Sequence, residues 1–112
     1  MIMETIDTMP RLQELTEGSE GVLLYFSNDA CNVCKVLKPK VIELLQEQFP
    51  RMEMGYIDTD RSPELSGQHR VFTIPTILIF FQGREQHRFS RNISLHQLEA
   101  AIERPYSLIF EE

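Results

Sequence analysis

Cys31 and Cys34 stand two residues apart at the junction of two contrasting patterns, and that junction constrains the fold more than any other feature of the chain. Before it runs Val22-Leu23-Leu24-Tyr25-Phe26, an unbroken apolar stretch of strand length that ends at Ser27-Asn28-Asp29. Such a run, with no polar alternation, suits a strand covered on both faces. After it, Val33, Val36, Leu37, Val41, Leu44, Leu45 and Phe49 recur at helical spacing, with Lys35, Lys38, Lys40, Glu43 and Glu47 between them. The spacing predicts an amphipathic helix that begins at the cysteines and reaches Phe49. Pro39 removes one hydrogen bond inside it and is expected to kink it, because the periodicity continues beyond.

A doubly covered strand needs partners, and the remaining segments supply them. Pro10, Leu12 and Leu15 predict a short opening helix closed by the Gly18 to Gly21 turn. Met52 to Ile57 reads as a second buried strand, and Ser62-Pro63 as the cap and first turn of a short helix to His69. Ile77 to Phe81 and Gln86 to Ser90 read as a hairpin joined by Gln82-Gly83-Arg84-Glu85. Ser94-Leu95-His96-Gln97 is a capping box opening a helix with Leu98, Ala101 and Ile102 inward. The order predicts an α/β fold: a mixed central β-sheet flanked by helices. A length of 112 residues, 42% of them apolar and 25% charged, predicts one domain, residues 1–112, with one core.

A formal net charge of -6 and the lack of any basic block exclude nucleic acid as the expected partner. Apolar runs such as Ile77 to Phe81 are too short to cross a membrane, and Met1 to Thr5 has no secretory pattern, so cytoplasmic location is expected. Two cysteines are too few to staple a small secreted scaffold, and a structural disulfide does not persist in a reducing cytosol.

Disulfide exchange needs an attacking thiolate, a second thiol to resolve the mixed species, and a means of lowering one thiol's pKa. Cys31, at the start of a helix, meets unpaired N–H groups and the positive end of the helix dipole, so it is the expected more acidic and more exposed thiol. Cys34 lies within one helical turn and can reach it. Lys35 adds positive field and Asp29 opposes it. Two rival readings stand beside this one. Both cysteines could be small buried hydrophobes, or the pair could bind metal. A closed zinc site needs four ligands, and His69, His87 and His96 stand singly, so no metal and no cofactor is expected within one chain; a site shared by two chains remains an alternative.

With these residues in place, the chain resembles the thioredoxin family along nearly its whole length. Three anchors carry the likeness: Cys31-Asn32-Val33-Cys34-Lys35 with Pro39 beyond it; Tyr56-Ile57-Asp58, matching the end of the family's central strand; and Thr73-Ile74-Pro75-Thr76 before Ile77 to Phe81, with Gly83 in the turn. The resemblance implies a thioredoxin-like fold, a cis Pro75 against the cysteine pair, and an Ile74 backbone free to pair with an extended segment of substrate. It implies a thiol-disulfide oxidoreductase acting on protein disulfides and fed by an unidentified electron donor. Departures are equally specific. Typical members carry Trp before the first cysteine and Gly-Pro between the two, where this chain has Ala30 and Asn32-Val33, and it contains no Trp. The family's buried Asp and its partner Lys align with Tyr25 and Met54. An alternative is therefore a thioredoxin-fold binding or redox-sensing module with little general reductase activity.

Three further features carry less. Arg84, His87, Arg88 and Arg91 form a basic cluster, read mainly as a solvated face. The apolar tail Tyr106 to Phe110 after Pro105 is expected to fold back on its own domain, or else to meet a second chain, so a monomer or weak dimer is expected. Met1, Met3, Met9, Met52 and Met54 read as core fillers.

Overall fold

The computed structural model describes residues 3–111. Its elements run β1 (Met3–Thr5), α1 (Met9–Gly18), β2 (Gly21–Ser27), α2 (Asn32–Gln48), β3 (Glu53–Asp58), α3 (Pro63–Gln68), β4 (Thr76–Phe81), β5 (Arg84–Ser90) and α4 (Leu95–Phe110). The sheet order is β1-β3-β2-β4-β5, with β1, β3 and β2 mutually parallel and β4 and β5 antiparallel to their neighbours. The apolar run of β2 occupies the middle position, which leaves Tyr56-Ile57-Asp58 at the end of the neighbouring strand rather than the central one.

Alternation along β2 divides the core into two layers. Leu23 and Tyr25 face α2 and α4, where Leu37, Val41 and Leu45 of one helix and Leu98, Ile102 and Tyr106 of the other cover them. Val22, Leu24 and Phe26 face the opposite side and pack with Leu12 and Leu15 of α1 and Leu65 of α3. A strand with both faces covered has no room for a polar position, which explains its unbroken apolar sequence. Of the methionines, Met52 and Met54 are core residues, Met9 packs against the core and Met3 is exposed; Met1 lies outside the described residues.

Several boundaries differ from the sequence expectation. Strand β1 is short and half exposed, so it carries no apolar signal; parallel pairing with β3 and the Glu4–Arg11 ion pair hold it. The hairpin turn is only Gln82-Gly83, because both residues have positive φ (52° and 81°), as a tight two-residue turn requires. The largest difference is at the C-terminus. Rather than ending before Pro105, α4 runs through it to Phe110. Proline removes one helical hydrogen bond, but the turn beyond it is anchored. The Tyr106 ring packs edge-on against Phe49 at 5.1 Å, the Tyr106 hydroxyl accepts the Arg51 N–H at 3.1 Å, and Arg51 donates to the Phe110 carbonyl at 3.0 Å. The tail therefore does fold back on its own domain.

His69, the C-cap of α3, sits half-buried with ring centroids 6.4 Å from Phe26 and 6.0 Å from Phe80. Burial holds its imidazole below the ordinary value of 6.5; Glu85 opposes that shift and Arg88 reinforces it. The folded state thus takes up a proton less readily than the unfolded chain. Stability is expected to be complete above about pH 6.5 and to fall as acid drives the pH down through the folded pKa. Urea midpoints at about pH 7.5 and 5.5 check this, and His69→Gln should flatten the difference attributable to the site.

Candidate active site

The site is assembled where β2 ends and β4 begins. Because the two strands are antiparallel with Phe26 opposite Thr76, the chain leaving β2 and the chain entering β4 meet at one end of the sheet. A turn follows β2, in which the Asn28 side chain accepts the Ala30 N–H at 3.1 Å and the Asn28 carbonyl accepts the Cys31 N–H at 3.3 Å. It delivers Cys31 to the N-cap of α2.

Cys31 and Cys34 are joined as a disulfide, with sulfurs 2.15 Å and Cα atoms 5.3 Å apart. Cys31 Sγ also accepts the Cys34 N–H at 3.2 Å, so sulfur occupies the place that a serine or aspartate oxygen holds in most helix caps. Sulfur there lies at the positive end of the helix dipole, an arrangement that favours a thiolate when the bond is reduced. Exposure separates the two residues: Cys34 is 1% exposed and packed in the core, while Cys31 is only partly buried. The motif neighbours Ala30, Asn32, Val33 and Lys35 are exposed.

On the β4 side, the Ile74–Pro75 peptide is cis. Pro75 is buried and its carbonyl accepts the Arg91 N–H at 2.9 Å. Ile74 is half-exposed and, among the described residues, its backbone groups have no backbone partner. Ile74 and Cys31 pack against the same core layer. The structure thus places Cys31, Cys34 and Ile74 along one core layer, with cis Pro75 at the entry to the strand that pairs with β2.

Beneath the disulfide lies a contact that sequence reasoning missed. The buried Tyr25 hydroxyl donates to the Cys34 carbonyl at 2.7 Å. Burial, with Tyr56 nearby, pushes the Tyr25 phenol up to about 12, so it stays a neutral donor. Tyr56 stacks on Tyr25 with centroids 6.1 Å apart, bonds Ser27 through its hydroxyl at 3.1 Å, and carries the Lys38 ammonium 3.9 Å above its ring. An isolated Tyr in an apolar run reads as bulk; only its position beneath α2 gives the hydroxyl a partner. Asp58 is the buried carboxylate among the described residues, and its Oδ1 accepts the N–H groups of Asp60 and Arg61.

The basic cluster divides. Arg88 is committed to Glu85 and to the carbonyls of His69 and Arg70, whereas Arg91 lines a cavity beside Asn32 and Val33. Among the described residues, no three His, Cys, Asp or Glu side chains converge as a metal site.

A five-stranded mixed sheet, a Cys-x-x-Cys disulfide capping a helix, and a cis proline entering the facing strand define the thioredoxin-fold class of redox proteins. A sequence model of that family, "Thioredoxin", matches residues 6–104. The thioredoxin-like protein YdfQ of Bacillus subtilis (strain 168) is 35% identical over 106 residues, spanning 95% of this chain and 94% of its own. Among solved structures, a single-site mutant of thioredoxin from Halobacterium salinarum NRC-1 superposes with a TM-score of 0.81 at 26% identity, covering 91% of this chain and 88% of its own. Oxidised thioredoxin O2 from Arabidopsis thaliana shares the fold with a TM-score of 0.80 at 19% identity, covering 93% and 94%. The chain belongs to the thioredoxin family.

Proposed function

We propose that the protein is a thiol-disulfide oxidoreductase that reduces protein disulfides, with Cys31 as the attacking thiol and Cys34 as the resolving one. The observation that carries this reading is the disulfide at the cap of α2, with one sulfur accessible and the other buried. In the reduced protein the Cys31 thiolate attacks a substrate disulfide. A bond forms between Cys31 and one substrate sulfur, and the other substrate sulfur leaves as a thiolate that takes up a proton. Cys34 then loses its proton and attacks Cys31 Sγ, which forms the Cys31–Cys34 bond and releases the second substrate thiol. The substrate has gained two electrons and the protein has lost two; a dithiol donor restores them. Ile74, whose backbone groups have no backbone partner among the described residues, is suited to hold an extended substrate segment across the site, next to buried Pro75. A cytosolic setting suits a chain whose two cysteines are both used by the reactive pair.

A second reading, a binding or redox-sensing module with little general reductase activity, is favoured by Tyr25. A phenol that keeps its proton, and donates it to the Cys34 carbonyl, cannot take up the Cys34 proton as a buried carboxylate could. Insulin reduction driven by dithiothreitol separates the two. The wild-type protein should accelerate insulin precipitation well beyond dithiothreitol alone, and Cys31→Ser should give only the rate without protein. Equal rates for both proteins would favour the module.

A further inference from the structure

Exposed large apolar side chains are few on this molecule, and three of them lie at one end of the sheet around the disulfide: Val33 at 63% exposure, Val36 at 60% and Phe72 at 83%. They belong to two cavities that flank the site and differ in charge. On the Ile74 side, a cavity of about 510 Å³ is lined by Phe72, Val71 and Ile74 with Asn28, Thr59 and Ser66, and has no charged residue. On the α2 side, a cavity of about 640 Å³ is lined by Val33, Val36, Leu37 and Ile93 and bordered by Lys40 and Arg91, with no carboxylate in its lining. Neither cation is ion-paired among the described residues. The first half of α2 is itself cationic: Lys35, Lys38 and Lys40 precede its first acid, Glu43. These cations follow the reactive pair along α2, while Asp29, which precedes the pair, is matched by Arg61, in a chain whose formal net charge is -6.

We infer that the α2-side cavity selects substrate polypeptides carrying an apolar residue next to the reactive cysteine and a carboxylate just beyond it. The reading rests on the oxidoreductase function proposed above and names its substrate class. Apolar walls take the side chain that leaves water. Two unpaired cations at the rim meet a carboxylate without having to break an existing ion pair, and they repel a lysine placed there. The overall acidity of the chain works the other way, opposing acidic partners at long range, so the preference is local and short in reach. The uncharged Phe72 side adds apolar contact without a charge preference.

The test uses two disulfide-linked reporter peptides of equal length, each with leucine on both sides of the cysteine, one bearing glutamate and the other lysine at the next positions. Reduction by the wild-type protein should be about fivefold to tenfold higher in kcat/KM for the glutamate peptide at low salt. The ratio should fall toward one at about 0.5 M salt, where surface charges are screened. In the double variant Lys40→Glu, Arg91→Glu the preference should reverse. Equal kcat/KM for the two peptides in the wild-type protein overturns the inference while leaving the oxidoreductase reading intact, and so does an acidic preference that survives the double charge reversal. Failure to reduce either peptide overturns the oxidoreductase reading, and this inference with it.

Discussion

Cys34→Ser should convert the protein into a trap that accumulates a mixed disulfide with its substrate through Cys31, with turnover lowered by about a hundredfold or more. The expectation follows from geometry. In the native pair the resolving sulfur sits within bonding distance of Cys31 and is held there by the core and by the first turn of α2. A neighbouring thiol fixed in this way acts at an effective concentration far above that of any dissolved reductant. Serine keeps the fold and removes the resolving nucleophile, so the first step proceeds and the second must wait for external thiol. Mass spectrometry of the intact protein after exposure to a disulfide substrate should show one adduct that dithiothreitol removes. Cys31→Ser should show no comparable adduct, because Cys34 is buried. An adduct forming faster in Cys31→Ser than in Cys34→Ser would reverse the assignment of roles.

Tyr25→Ala should be among the most destabilising single changes in the molecule, by about 3–5 kcal/mol, because it empties an aromatic volume in the middle strand and removes the side-chain hydrogen bond to the Cys34 carbonyl. For a domain of this size that corresponds to a loss of roughly 15–25 °C in Tm. Tyr25→Phe isolates the second contribution. The ring stays, the 2.7 Å hydrogen bond to the Cys34 carbonyl goes, and a cost of about 1–1.5 kcal/mol is expected. Urea unfolding of the three proteins in the oxidised state measures both quantities. If Tyr25→Phe matched the wild type, the hydroxyl would have no part in seating the active-site turn.

The two predictions draw on different kinds of information. The places of Cys31 and Cys34 at the start of a helix were legible from their spacing and from the change of periodicity on either side of them, since a strand that runs into a helix leaves its first cysteine at a cap. The cis Pro75 and the open backbone of Ile74 were legible only through family likeness, because the residues themselves allow either isomer. Tyr25 was legible as strand bulk standing where the family carries a buried Asp, but its hydrogen bond to the Cys34 carbonyl was not. Arg91 was grouped with Arg84, His87 and Arg88 by proximity along the chain, and the structure separates it from them: a positive φ of 64° turns the chain at Arg91 out of β5 and toward the cavity beside Val33. The helix beyond Pro105 was hidden because proline breaks the local hydrogen-bond pattern, and packing of Tyr106 on Phe49 with the Arg51 hydrogen bonds restores the balance.

What the amino-acid sequence determined by itself is therefore local and periodic: where the longer strands and helices lie, most of their buried positions though not the exposed Val33 and Val36, and that two thiols share the first turn of one helix. Dihedral preference and hydrophobic spacing act over a few residues and can be read there. Tertiary structure alone decided what surrounds those thiols. Antiparallel pairing of β2 with β4 brings residues 73–75 to the end of the sheet from which α2 departs, stacking of α2 over β2 gives Tyr25 its carbonyl, and the exit from β5 places Arg91 in one cavity lining with Lys40. These contacts join residues dozens of positions apart, and their energies exist only once the sheet has fixed which distant segments are neighbours.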